Sequence, residues 1–104
     1  MDEIFKALAD INRRKIVSLL KDRDLNVSEM LEYLDIKQAT LSSHLAILRK
    51  VGLVSCSVKG KQRIYKLNKG TLISFVKKLN RFTEETSVNS DDEIIVRRKS
   101  DQNC

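Results

Sequence analysis

The sequence predicts a mainly α-helical domain of the α+β class, with five helices and one two-stranded β-hairpin. Apolar residues recur at helical spacing through most of residues 1–83, and the pattern changes to alternation only after Gly52. Proline is absent and there are only 3 glycines, so few breaks interrupt the helices. A chain of 104 residues has room for one hydrophobic core. We therefore expect one folded domain over residues 1–83.

The first three helices are indicated by short apolar stripes. The first stripe is Ile4, Phe5 and Leu8. Asp10 is a good N-cap for a second helix, whose stripe is Ile16, Leu19 and Leu20. Asn26 or Ser28 opens a third helix, which carries Val27, Met30, Leu31 and Leu34. Asp35 and Ile36 then form a tight link to the next helix.

A fourth helix follows this link at once. Its inward positions are Leu41, Leu45 and Leu48, spaced i, i+4 and i+7. Gly52 is placed for the left-handed conformation that ends many helices. Two helices joined by so short a turn are typical of a helix-turn-helix.

The segment after Gly52 predicts a β-hairpin and a final helix. Alternating apolar residues flank a polar tip: Leu53, Val54, Cys56 and Val58 before it, and Ile64, Tyr65 and Leu67 after it. Gly60 lies in the tip, where the turn needs a positive φ. A basic hairpin after a helix-turn-helix is a wing. The last helix is predicted over Thr71 to Phe82, with the apolar stripe Leu72, Phe75, Val76 and Leu79.

The charge of the chain is unevenly distributed. Formal net charge is +6, but residues 84–104 hold six acids and three bases, which leaves +9 for residues 1–83. Between Ile36 and Thr83 there are eleven bases and no acid. A merely solvated surface normally mixes both signs, so this run predicts binding to the phosphates of double-stranded DNA. The acidic tail, residues 84–104, lacks a sustained apolar pattern and is expected to be disordered.

The geometry of DNA recognition selects the candidate contacts. A helix in the major groove reads base edges with side chains near its N-terminus, which predicts base reading by Gln38, Ala39, Thr40, Ser42 and Ser43. Gln38 is the best reader, because its amide can pair with both N6 and N7 of adenine. Phosphate contacts are expected from Lys37, His44, Lys59, Lys61, Gln62 and Arg63. For His44, packing in the interior is the alternative.

Two apolar stripes exceed what so small a core can cover. They belong to the first and last helices and consist of Ile4, Phe5, Leu8, Leu72, Phe75, Val76 and Leu79. We expect these residues to form a homodimer interface, which would set two reading helices about one DNA turn apart, roughly 34 to 36 Å, on a near-palindromic operator. The alternative is that the stripes fold together within one protomer.

Residues 3–82 resemble the ArsR/SmtB-type winged-helix repressors. The segment IFKALADINRRKIVSLL is similar to the opening pattern of that family. Its recognition segment, S-x-H-L-x-x-L-x-x-x-G-L-V, is matched by Ser42, His44, Leu45, Leu48, Gly52, Leu53 and Val54, and KGKQRIYKL supplies the wing. The resemblance implies a homodimer that binds DNA through the fourth helix and the wing, with repression relieved by an inducing signal.

The chain departs from the metal-sensing members of that family. Asn26 and Ser28 stand where a Cys-x-Cys pair would lie, and the last helix contains neither histidine nor carboxylate. We therefore expect no metal and no cofactor. The chain looks most like the metal-independent autorepressor branch, in which the resemblance implies control by a regulatory protein partner.

Two alternatives stay open. A thiol-responsive repressor would use Cys56 and Cys104, with the tail carrying Cys104 to the hairpin. A winged helix can also be a protein-interaction module that does not bind DNA. An enzyme is not expected, because the sequence has no glycine-rich phosphate loop, no paired-carboxylate site and no nucleophile motif beside His44. With neither a signal peptide nor an apolar membrane span, the expected compartment is the cytoplasm.

Overall fold

A computed structural model describes residues 2–83 of the chain. Five helices and three strands follow one another in the order α1 (Asp2–Leu8), α2 (Ile11–Asp22), β1 (Leu25–Asn26), α3 (Val27–Leu31), α4 (Gln38–Lys50), β2 (Val54–Lys59), β3 (Gln62–Leu67) and α5 (Lys69–Thr83). The five helices and the hairpin predicted from the sequence are confirmed. The predicted acidic tail, residues 84–104, lies outside the described residues.

Side-chain caps set the starts of α2 and α3. The Asp10 carboxylate accepts hydrogen bonds from the backbone N–H of Asn12 at 2.7 Å and of Arg13 at 3.2 Å. Asn26 and Glu29 form a capping box, because each side chain accepts from the other residue's backbone N–H at 2.8 Å. Of the two N-caps that the sequence offered for α3, the structure selects Asn26.

A Schellman motif ends α4 and turns the chain toward the hairpin. The backbone N–H of Gly52 donates to the carbonyl of Arg49, and that of Leu53 donates to the carbonyl of Leu48, each at 3.0 Å. Gly52 takes the left-handed conformation that this motif needs, with φ of 83°. The Asn68 side chain then donates to the carbonyl of Gly52 at 2.7 Å, which ties the end of β3 to this turn.

The sheet contains one strand more than predicted. Its order is β1-β3-β2 and both pairings are antiparallel. Leu25 pairs with Tyr65, and Asn26 pairs with Ile64. Two residues are too few to display an alternating pattern, so β1 could be recognised only from its partner. This pairing fixes the base of the hairpin against the start of α3.

The core lies between the helix-turn-helix and the sheet. Leu41, Leu45 and Leu48 of α4 are buried, as their spacing predicts. They pack in one cluster with buried residues of α2, α3 and the sheet, among them Ile16, Leu20, Met30, Leu53 and Tyr65. This packing turns the opposite face of α4 toward solvent.

Candidate nucleic-acid interface

The first turns of α4 present the predicted base-reading residues to solvent. Gln38, Ala39, Thr40, Ser42 and Ser43 are all exposed. The same helix buries Leu41 and Leu45 on its inner face. Lys37 precedes the helix as its N-cap in extended conformation, without a side-chain cap bond, and is exposed as well. The outer face of α4, which we call the reading surface, therefore consists of residues 38–40, 42 and 43.

The hairpin β2–β3, residues 54–67, is the predicted wing. Its tip carries the four other predicted phosphate contacts that remain exposed, Lys59, Lys61, Gln62 and Arg63. Gly60 adopts φ of 63°, a conformation that side-chain-bearing residues rarely take, so the tip can turn within two residues. The turn holds the charged side chains at the far end of the strands.

A concave surface of about 400 Å³ brings the reading surface and the wing together. Gln38 and Ser42 line it from α4, and Lys61, Gln62 and Arg63 line it from the wing. Its remaining lining residues are Asn26, Val27, Ser28 and Tyr65, so two cations and no carboxylate face the space. Phosphate oxygens are the complementary ligand for such a surface. Lys37, Ala39, Thr40, Ser43 and Lys59 lie outside this concavity.

Sequence reasoning did not include Asn26 in the site. Its side-chain amide donates to the Gln62 carbonyl oxygen at 3.3 Å, which links the start of α3 to the wing tip. The cap pattern identified Asn26 only as a helix start. Its contact with a residue 36 positions later is visible in the tertiary structure alone.

The expected phosphate contact of His44 is wrong. His44 is only 9% exposed. Its Nδ1 lies 3.2 Å from Nη1 of Arg13, and its Nε2 lies 3.8 Å from Oδ1 of Asp10. Three helices meet at this ring, since Asp10 and Arg13 belong to the start of α2 and Arg13 also contacts α1. The ring sits on the inner face of α4, so packing, the alternative, is the one that fits.

Asp10 has a lowered pKa. Partial burial alone would raise the pKa of this carboxyl group, but the hydrogen bonds from the backbone N–H groups of Arg13 and Asn12 lower it. The charges of His44 and Arg13 lower it further, and the net result is a pKa below the ordinary value of 3.8. The charged carboxylate is thus the form that caps α2.

The residues of the expected dimer interface divide into two groups. Phe75 is 6% exposed, and Ile4, Leu8 and Leu72 pack against the core. Leu79 is half-buried. Phe5 and Val76 remain 42% and 45% exposed. Part of the stripe is therefore covered within the protomer, and the exposed part is extended by two apolar residues of α5 that the prediction omitted, Ile73 and Phe82.

Metal and thiol chemistry find few groups in the described part of the chain. Within residues 2–83 no three His, Cys, Asp or Glu side chains lie close enough to hold a metal ion. Cys56 lies in β2 and is 4% exposed, and Cys104 lies outside the described residues. No helix among residues 2–83 is both long and apolar enough to cross a membrane.

Comparison with known proteins agrees with this architecture. Residues 10–55 match the model of the family described as bacterial regulatory protein, arsR family. The transcriptional repressor SdpR of Bacillus subtilis is 38% identical over 68 residues, which is 65% of this chain and 76% of SdpR. The transcriptional activator HlyU of Vibrio cholerae is 33% identical over 78 residues, which is 75% of this chain and 72% of HlyU.

Solved structures give the same assignment. HlyU superposes with a TM-score of 0.65 at 32% identity, covering 77% of this chain and 87% of HlyU. A homodimeric winged helix-turn-helix DNA-binding domain from Mycobacterium bovis shares the fold, with a TM-score of 0.64 at 22% identity over 84% of this chain and 86% of that domain. The chain has the winged helix-turn-helix fold and belongs to the ArsR family, whose members are transcriptional regulators and not enzymes.

Proposed function

We propose that this protein is a homodimeric, sequence-specific transcriptional repressor that binds a near-palindromic DNA operator through α4 and the wing. One observation carries the proposal: the concave surface joins Gln38 and Ser42 of the reading surface to Lys61 and Arg63 of the wing, with no carboxylate among its lining residues. Side chains that can read bases thus stand beside side chains that can bind phosphate.

The two parts of the surface have different tasks in this proposal. The N-terminal turns of α4 enter the major groove, where the Gln38 amide can pair with adenine and the hydroxyls of Ser42 and Ser43 can contact bases or phosphates. Lys61 and Arg63 bind phosphates beside the groove. These phosphate contacts set affinity and orientation but carry no sequence information themselves.

Repression and dimerisation rest on separate observations. SdpR, at 38% identity, is named a repressor, whereas HlyU, at 33%, is named an activator, so the direction of regulation needs its own test. Dimerisation is supported by the exposed apolar residues of α1 and α5, and the M. bovis domain of the same fold is homodimeric. A two-fold dimer would place two copies of α4 on one face of the duplex.

The remaining parts of the proposal concern control. We propose that the repressor is metal-independent, autoregulatory and released by a regulatory protein partner, and that it acts in the cytoplasm where the chromosome lies. The absence of carboxylate and histidine from α5 supports metal independence. Operator affinity should then be the same with a chelator and with added Zn²⁺, and a loss of affinity on adding Zn²⁺ alone would contradict this part.

Selection of bound sequences from random duplexes is the direct test of the main proposal. We expect one near-palindromic sequence to emerge. Its affinity should fall steeply as salt rises, because each phosphate contact releases counterions. A reporter gene placed behind that sequence should be silenced by the protein. Failure to bind any duplex at low salt would favour the protein-interaction alternative, and increased reporter expression would identify an activator.

A further inference from the structure

The side chain of Arg13 joins α1, α2 and α4. It starts in the first turn of α2, donates to two backbone carbonyls of α1 and contacts the His44 ring of α4. We propose that Arg13 is a positioning residue, which holds the reading surface of α4 at a set orientation relative to the expected dimer face. This inference rests on the proposed function, and it names a residue outside the DNA-contacting surface that decides how the two half-sites are spaced.

The contact with α1 is a helix C-terminal cap made by a side chain. Arg13 Nε donates to the carbonyl of Ala7 at 2.6 Å, and Nη2 donates to the carbonyl of Lys6 at 3.3 Å. Both carbonyls belong to the last turn of α1, where they have no partner within the helix and carry partial negative charge. A guanidinium group suits this place because its planar donors reach several acceptors at once.

The contact with α4 determines the protonation pattern of His44. A guanidinium group can only donate, so Nδ1 of His44, 3.2 Å from Arg13 Nη1, must accept the hydrogen bond. In the neutral ring the proton then resides on Nε2, which points toward Oδ1 of Asp10 at 3.8 Å. Asp10 is itself bonded to the backbone N–H of Arg13. The ring is thereby held between two residues of one helix cap.

This link supplies a direction that the apolar packing of α4 lacks. Leu41, Leu45 and Leu48 anchor the helix by burial, which is non-directional and tolerates small rotations. A hydrogen bond to one ring nitrogen does not. Ser42 and Ser43 directly precede His44, so a rotation of the helix at this ring would move the reading surface.

The other end of the link leads to the dimer face. Arg13 holds the last turn of α1, and Phe5 of α1 packs against Phe75 of α5, with 5.2 Å between ring centroids. The exposed apolar residues of α1 and α5 are those expected to meet the second protomer. In a dimer, the distance between two reading surfaces depends on the angle between α4 and this face, and Arg13 bridges the two.

Operators with altered half-site spacing test this role. The wild type should strongly prefer one spacing over sites lengthened or shortened by one base pair. Arg13→Gln, which keeps a polar side chain but loses the fork of donors, should weaken binding at the preferred spacing about tenfold, the order expected for one hydrogen bond to a charged group. On a single half-site it should weaken binding less than twofold, so the spacing preference should flatten.

Matched variants separate positioning from general stability. Arg14→Gln is the control, because the Arg14 guanidinium also bonds carbonyls at the end of α1 and its loop, those of Leu8 and Ala9, without a recorded bond to α4. It should keep the spacing preference. His44→Leu should behave like Arg13→Gln, whereas His44→Asn, whose amide oxygen can accept from Arg13, should restore the preference. The double variant Arg13→Gln with His44→Leu should lose no more than either single variant.

A readout without DNA completes the test. His44 is the only histidine, so nitrogen NMR of its ring reports one tautomer, which should be the Nε2–H form in the wild type and a mixture in Arg13→Gln. Retained spacing preference in Arg13→Gln, or an unchanged tautomer, would overturn the positioning role while leaving the proposed function intact. A wild type that binds no duplex would instead overturn the proposed function.

Discussion

Phe5 of α1 meets Phe75 of α5 edge to face, with ring centroids 5.2 Å apart and ring planes at 79°. Edge-to-face pairs of this kind are favourable because the positive ring edge meets the negative ring face. The contact covers Phe75 and leaves Phe5 42% exposed. Two helices at opposite ends of the described chain thus present one joint apolar surface, which includes Val76 and Ile73 of α5.

The dimer should dissociate in Val76→Glu. Val76 is 45% exposed in the protomer, and burying an unpaired carboxylate in an apolar interface costs several kcal/mol. We expect the dissociation constant, measured by sedimentation, to rise at least about 100-fold. Val58→Glu is the matched control, because Val58 is similarly exposed at 49% but lies on the wing. An equal loss of dimer in both variants would remove α5 from the interface.

Gln38→Ala should change sequence preference. We expect a loss of about 1 to 3 kcal/mol that is concentrated at one operator position per half-site, because the amide pairs with a single base. Binding of a panel of single-base operator variants measures this. Gln62→Ala, the same substitution on the wing, should weaken all sequences alike. If Gln38→Ala also lost affinity equally on operator and random DNA, Gln38 would not be a base reader.

Lys61→Ala should weaken binding without changing sequence preference. Its ammonium group faces the concave surface, where it is expected to bind one phosphate. The slope of log affinity against log salt should therefore fall in magnitude by about 0.9. Lys21→Ala serves as control, because Lys21 is an exposed lysine in the last turn of α2, outside α4 and the wing. A slope that is unchanged in Lys61→Ala would contradict the phosphate contact.

Asp10 should make stability depend on pH in the acid range. Its pKa in the folded protein lies below the ordinary value of 3.8, so folding favours the charged form. The resulting stability is complete above about pH 3.8 and is lost as the pH falls through the lower folded pKa. Asp10→Asn keeps an oxygen that can cap α2 but does not titrate. Denaturant unfolding should show the wild type ahead of this variant above pH 3.8, with the gap closing under acid. A constant gap would refute this assignment.

Several features follow directly from the local sequence. Asp10 and Asn26 cap helices because a short polar side chain next to the first free backbone N–H groups is sufficient. The inner face of α4 follows from its leucine spacing. The positive φ of Gly60 follows from a tip between two alternating segments. The reading surface and the wing could therefore be predicted residue by residue, and the described structure places both beside one concave surface.

Other features were decided by tertiary structure alone. The sequence by itself determined which faces of the helices are apolar, but periodicity does not tell what a face packs against. Phe75 was therefore expected at a dimer interface, although Phe5 already covers it within the protomer. The partner of His44, Arg13, lies 31 residues earlier, and the partner of β1 lies on the far side of the wing. Contacts between distant segments depend on how the whole chain closes around its core, and only the folded structure contains that information.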